Sequence, residues 1–423
     1  MVYELTNREN QSDYLFIVRR NPQLSSFEVL SYLKARGIVH ELKSYGEDYF
    51  VVGVSGFAPK KAMDQIGETL KIGRVLAKLG NPFQKRGANL DPEELREVFE
   101  SSVVLPEEVL LHACKVDLIG ISVYAEALGR ETAYLARIGE VAGEVVAAKL
   151  RFEEGLKRKP GVTVAKGFQY TPAEARRKKF HNRNLELLIA LDAEALYVAG
   201  TLAICDQEGF NKRGVDRPFR PKDWKFGMAP NYAKALVNLS GAKEGDVFLD
   251  PFCGIGTILQ EATLNGLDVF GVDIDKRSVE SARANCEWVS HEFGLGLRDL
   301  DIRIFAGDAC KLTAYFDEGS VDAVATEPFL GPPLMGTPSY KSAKRILSEV
   351  EPVYRQSLSE MYKILKPSRQ VAVVVPNIKS SGGIVGLDLR KTTDCIGFVF
   401  CDCVSDRREH QLLYRDIHVY RKP

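Results

Sequence analysis

Asp250-Pro251-Phe252-Cys253-Gly254-Ile255-Gly256-Thr257 follows the apolar run Val247-Phe248-Leu249 and precedes Ile258-Leu259-Gln260-Glu261-Ala262. The order reads as strand, glycine-rich turn, helix. A turn of this kind presses bare backbone against a ligand at a helix start. Its setting is a strand–helix alternation running on to Pro423, which predicts a doubly wound sheet. A dinucleotide fingerprint would carry a third glycine after this pair; none follows, which disfavours a nicotinamide-dependent oxidoreductase.

At 423 residues the chain exceeds one comfortable core, so two or three domains are expected. Lysine plus arginine number 57 and aspartate plus glutamate 57, so whole-chain charge confers no nucleic-acid affinity and only a local basic face could. No apolar run is long enough to cross a bilayer and the first residues lack a signal-peptide pattern. The eight cysteines are scattered without a C-x-x-C pair, and the six histidines show no ligand spacing. Reduced thiols, no metal and a cytoplasmic location are the expectation.

Residues 1–85 read as strand, helix, two strands and a second helix over Lys60 to Ile72, a small ferredoxin-like pattern. Residues 86–207 hold strands at Leu118–Tyr124, Gly161–Ala165, Leu187–Leu191 and Ala195–Cys205, a helix over Glu131–Lys149 and a basic helix from Pro172. Lys157, Arg158, Lys159 and Lys166 precede the run Arg176, Arg177, Lys178, Lys179 with His181 and Arg183. Taken alone, such a run is a solvated face. Flanked by Phe168, Tyr170 and Phe180, it could instead contact phosphate with some stacking capacity. Residues 208–245 form a connector dense in Arg213, Arg217, Arg220, Lys222, Trp224 and Lys225, and residues 246–423 alternate strands and helices.

The aspartate, the two glycines one residue apart and the threonine at the helix entrance resemble the S-adenosylmethionine loop of class I (Rossmann-like) methyltransferases. The resemblance places Asp250, Phe252, Gly254, Gly256 and Thr257 around the methionine end of that cofactor, with Asp250 facing its ammonium. Val269 to Asp275 ends a second strand where an adenosyl ribose presents its hydroxyls; Asp273, beside Ile274, is the better candidate, and Asp275 suits a helix cap. Asp308 and Ala309, at a third strand end, stand where the adenine amino group would bind, though aspartate there is also ordinary turn chemistry. A fourth strand ends in Glu327-Pro328-Phe329-Leu330, where amino methyltransferases place a polar-Pro-Pro-aromatic segment that holds the target amine and stacks on its base. Here the polar residue is glutamate, one methylene longer than the usual Asp or Asn, and the aromatic is shifted.

With Arg217-Pro218-Phe219 and Met228 to Leu239 added, the chain resembles the THUMP-containing tRNA guanine-N2 methyltransferases that act on guanosine 10. That resemblance implies an N-terminal ferredoxin-like plus THUMP α+β region followed by a class I methyltransferase domain. It also implies S-adenosylmethionine as cofactor, tRNA as partner with no DNA or membrane, and methyl transfer to a guanosine N2 amine. A small activating protein partner is left open. Arg176, Arg177, Lys178, Lys179, Arg183, Arg217 and Arg220 become candidate RNA contacts. Two alternatives are a tRNA-binding paralogue without turnover and an adenine-N6 nucleic-acid methyltransferase.

Overall fold

The computed structural model describes residues 11–80, 96–97, 100, 116–125, 132–152, 160–166, 169–192, 194–220, 227–295, 303–407 and 411–423. Lys157 to Lys159, Phe168 and Pro221 to Lys225 lie outside them. The chain divides into two compact units: residues 1–22, 38–64 and 69–208, and residues 23–37, 65–68 and 209–423.

The first unit is built on one eight-stranded sheet of order β2-β3-β1-β4-β8-β7-β5-β6. Its strands are β1 (Ser12–Val18), β2 (His40–Tyr45), β3 (Tyr49–Val54), β4 (Thr69–Gly80), β5 (Leu118–Ala125), β6 (Gly161–Val164), β7 (Leu185–Leu191) and β8 (Ala195–Ile204). The antiparallel β4–β8 pairing fuses strands from residues 1–85 and 86–207 into that single sheet. Helix α1 (Pro22–Ala35) lies almost wholly in the second unit's residues, and helix α2 (Pro59–Gln65) follows β3. The long helix α3 (Thr132–Phe152) lays Ile138, Val141 and Val145 on Ile121, Leu187 and Ile189. Gly139 and Gly143 allow that approach, since a Cβ at either would stand 2.9 Å from Val164. The expected helix over Lys60 to Ile72 is corrected: α2 stops at Gln65, and β4 begins at Thr69. The break falls at Gly67, where a Cβ would meet the Asn231 carbonyl at 2.0 Å.

The short helix α4 (Pro172–Arg177) carries the basic run. Thr171 and Glu174 form a capping box at its start, each side chain bonding the other's backbone.

The second unit's sheet has the order β11-β10-β9-β12-β13-β16-β15. Its strands are β9 (Val247–Asp250), β10 (Asp268–Asp273), β11 (Ile304–Ala306), β12 (Val321–Thr326), β13 (Leu365–Ser380), β14 (Gly383–Gly386), β15 (Val399–Asp406) and β16 (Leu413–Arg421). The strands from β11 to β13 run parallel, while β16 is antiparallel to both β13 and β15. The strand after β9 pairs on one side of it and β12 on the other, so the chain reverses direction of build at β9. A crevice outside the carboxyl ends of the strands forms at such a switch point.

Helices α5 (Gln207–Val215), α6 (Pro230–Leu239), α7 (Thr257–Leu264), α8 (Lys276–Glu292), α9 (Tyr340–Ile364) and α10 (Arg390–Ile396) complete the unit. Leu236, Ile258, Leu259 and Val279 from α6, α7 and α8 pack on one sheet face with Leu24 of α1. Leu347, Tyr354, Leu358 and Met361 of α9 cover the other. No described helix is long and apolar enough to cross a membrane.

Candidate active site

The four strand ends singled out in the sequence converge at the switch point. Asp250 closes β9, Asp273 closes β10, Asp308 follows β11 and Glu327 follows β12. Because these strands are parallel neighbours, their carboxyl ends share one edge of the sheet.

The turn after β9 is tied to the neighbouring strand through Asp273. Its Oδ2 accepts from the Gly254 amide at 2.8 Å and its Oδ1 from the Asp275 amide at 2.9 Å. Each oxygen retains acceptor capacity for a further donor. Gly254 has φ +51 and Gly256 φ +83. Among the described residues a Cβ at Gly254 would meet nothing within 4 Å, which leaves that backbone open to them, whereas one at Gly256 would stand 3.0 Å from the Ala282 Cβ. The first glycine gives access and the second lets α7 pack on α8. Gly256 caps α7 without any side-chain bond, leaving first-turn amides for an anionic group.

Asp250 is buried, and its Oδ1 accepts from the Thr326 hydroxyl at 2.6 Å and the Phe252 amide at 3.1 Å. Burial pushes its carboxyl up to about 7; these two bonds oppose the rise, while Asp273 and Glu327 reinforce it. A buried acid of this kind is receptive to a cation. Ile274 is 80 % exposed at the end of β10. Asp275 caps α8 through the Arg277 amide, the role its position suggested. Asp308 Oδ1 accepts from the Cys310 amide and opens the 3-10 turn Ala309–Ala314. Ala309 is buried, and Phe252 packs partly buried against the α9 side of the core.

Glu327 has a partner that its sequence neighbourhood does not announce. Its Oε2 accepts from Arg415 Nε of β16 at 2.7 Å. Burial alone would lower the Arg415 pKa, but the Glu327 carboxylate reverses this and raises it. Tyr232 of α6 lies buried within the electrostatic reach of Glu327 and Arg415, and burial first raises its hydroxyl well above the ordinary value. Pro328 is buried, Leu330 belongs to the core and Phe329 is 62 % exposed. Of Phe329 and Leu330, Phe329 is the side chain presented outward, where it could meet a base.

Arg217 requires a correction. It is 4 % exposed and donates Nη1 to the Thr257 hydroxyl at 2.7 Å and to Gln260 Oε1 at 3.3 Å, so it cannot follow an RNA backbone. Beside it, Asn285 accepts from the Phe219 amide and donates to the Phe219 and Ile255 carbonyls. The Arg217-Pro218-Phe219 segment thus braces the glycine turn from behind. Arg217 Nε is buried with no partner. Below the same helix, Glu261 is held by Arg213 at 2.6 Å and Lys234 at 3.4 Å, all three buried.

In the first unit, Arg176, Arg177, Lys179 and Arg183 are exposed and Lys178 half-buried. Arg220, in the second unit, is exposed. The stacking capacity expected beside the run is corrected for two of its three rings, Phe168 lying outside the described residues. Tyr170 and Phe180 are buried with Ala165, Ala175 and Ile204, so neither ring is offered to a base.

Uncapped helix amides, bare glycine backbone beside open space, a strand-end carboxylate and a buried acid fit an adenosyl ligand with an amino-acid tail. Residues 217–383 match the family described as "RMKL-like, methyltransferase domain". A protein named tRNA (guanine(10)-N2)-dimethyltransferase from Methanothermobacter thermautotrophicus is 36 % identical over 176 residues, 42 % of this chain and 46 % of that one. Its namesake from Pyrococcus abyssi is 32 % identical over 163 residues, 38 % and 43 % of the respective chains. The match thus spans about half the length of these relatives. In fold, the chain is similar to TrmN from Thermus thermophilus, with a TM-score of 0.53, 18 % identity, and coverage of 97 % of this chain and 100 % of that one.

Proposed function

We propose, from the match of residues 217–383 to the RMKL-like methyltransferase domain, that this chain transfers a methyl group to the N2 amine of a guanosine in tRNA, in the cytoplasm. The observation that carries the reading is the convergence of Gly254, Asp273, Asp308 and Glu327 on one sheet edge. When bound, S-adenosylmethionine supplies a methyl group already activated on a sulfonium.

The chain's own task is then positioning. Asp273 accepts from the ribose hydroxyls, the α7 amides meet the carboxylate and Asp250 faces the ammonium. Glu327 accepts a hydrogen bond from the target amine through Oε1, the oxygen Arg415 does not hold. Phe329 stacks on the base, which must leave its own stack to arrive. Taking up that methyl group would leave the amine with one proton too many, which would pass to solvent.

The Arg415 pairing favours a working enzyme over a binding-only paralogue. A longer acid misplaces an amine when left free to rotate. Anchored by a guanidinium from β16, it becomes a defined acceptor. Purified protein incubated with S-adenosylmethionine and an unmodified tRNA transcript should yield N2-methylated guanosine on nucleoside mass spectrometry. No methyl gain, or methyl on adenine, would overturn the reading.

A further inference from the structure

β15 and β16 close one edge of the second unit's sheet. Cys403 stands opposite His418 in their register, and Asp416 lies two residues along β16 on the same face. One ligating atom from each of the three lies within 4.8 Å of the others. Asp416 is 6 % exposed; its Oδ2 accepts from Arg407 Nη2 at 3.0 Å, but its Oδ1 is buried with no partner among the described residues. His418 Nδ1 lies 2.8 Å from the Tyr420 hydroxyl, a contact that orients the ring. Taken singly, the histidines have no ligand spacing; the strand pairing assembles one.

We infer that Cys403, Asp416 and His418 form a site for one divalent cation of the zinc class, with a fourth position left for water. Sulfur, imidazole and carboxylate donors suit zinc and exclude magnesium or calcium, which take oxygen shells. Zinc bonds of about 2.0–2.3 Å need donors about 3.2–3.8 Å apart, so the side chains close by roughly 1 Å, within reach of small rotations about their own bonds. The thiolate is the ligating form of cysteine, so the cation must displace the Cys403 thiol proton to claim the sulfur. The proton leaves to solvent as the metal–sulfur bond forms. The consequence for the fold is a fastened edge: β15 is paired on one side only, and a metal would tie it to β16 through side chains.

The test uses the full chain and zinc alone. Equilibrium dialysis followed by elemental analysis should find one zinc per chain, lost in Cys403→Ser and weakened at least tenfold in Asp416→Asn and His418→Gln. Zinc should raise the Tm of the native chain and leave that of Cys403→Ser unchanged. Cobalt loaded into the native chain should give a thiolate charge-transfer band. Absence of that band in the folded native chain overturns the proposal, independently of whether any variant folds. Equal zinc uptake by native chain and all three variants overturns it too, marking adventitious binding.

Discussion

Asp250 couples stability and ligand binding in opposite directions with pH. Its carboxyl titrates near 7 when folded and near 3.8 when unfolded. Between those values the native chain holds a proton that the unfolded chain has released, so the Asp250 contribution to stability is greatest below about pH 4 and falls until about pH 7. The loss is on the order of 4 kcal/mol. Glu28 behaves alike: buried against the Gly67 and Glu68 amides and Asn238, it is also pushed up to about 7 by burial. Asp250→Asn should therefore make stability fall less steeply as pH rises, read by thermal unfolding from pH 4 to 8. Binding of S-adenosylmethionine should tighten over pH 6–8 in the native chain and lose that dependence in Asp250→Asn, measured by calorimetry. An unchanged stability slope in the variant would sink the account. Arg415 gives a second prediction at this scale. Arg415→Met should lower kcat about 100-fold while cofactor affinity stays within about twofold, because it releases the acid that orients the amine and leaves the glycine turn alone. A loss confined to cofactor affinity would place Arg415 elsewhere in the function.

The turn between β9 and α7 separates two kinds of glycine, and substitution should separate them too. Gly254→Ala puts a side chain into open space at φ +51, so it should cost about 1–2 kcal/mol of stability while abolishing cofactor binding. Gly256→Ala adds to a similar strain a 3.0 Å contact with Ala282, forcing α7 off α8, and should cost about 2–4 kcal/mol. Chemical denaturation and equilibrium binding of S-adenosylmethionine distinguish them; a Gly254→Ala chain that binds normally would refute the access argument. This turn was legible in the sequence because its chemistry is compressed into eight consecutive residues between an apolar strand and an apolar helix. Asp273 and Asp308 were legible for the same reason, each closing a short strand. Arg415 was not, since it reaches Glu327 across 88 positions through the antiparallel insertion of β16. Arg217 misled because an arginine in a basic connector looks like surface until Thr257 and Gln260 are seen to enclose it. The start of β4, Thr69 to Ile72, was read as helix because the apolar spacing continues past Gly67, and only packing reveals that nothing larger fits there.

Across the whole chain the charges cancel, so affinity for a polyanion has to come from where the cations stand. The exposed run at the end of α4 is one local source among the described residues. Arg183 lies 3.0 Å from Asp117 and Arg176 lies 4.0 Å from Asp206. Exposed pairs of this type contribute about 0–1 kcal/mol, so a phosphate can displace them. Lys179 adds a conformational mark: it holds φ +58, with its carbonyl accepting from the amides of Asn182, Arg183 and Asn184. A lysine there costs about 1 kcal/mol relative to glycine. Strain retained at an exposed cation suggests selection for the charge. Lys179→Gly should then raise stability by about 1 kcal/mol and weaken tRNA binding, two effects that a merely solvated face would not couple. Replacing Arg177 and Lys179 together by glutamine should make the slope of log affinity against log salt shallower by about 1.5–2, the share of two phosphate contacts. The measurement is tRNA binding across a salt series, with thermal unfolding as the companion. If the slope stays as in the native chain, the run is a solvated face and the RNA grip lies on other residues. If slope and affinity fall while the glutamine variants keep the native Tm, the loss belongs to lost contacts, because neither substitution removes buried surface or a capping bond.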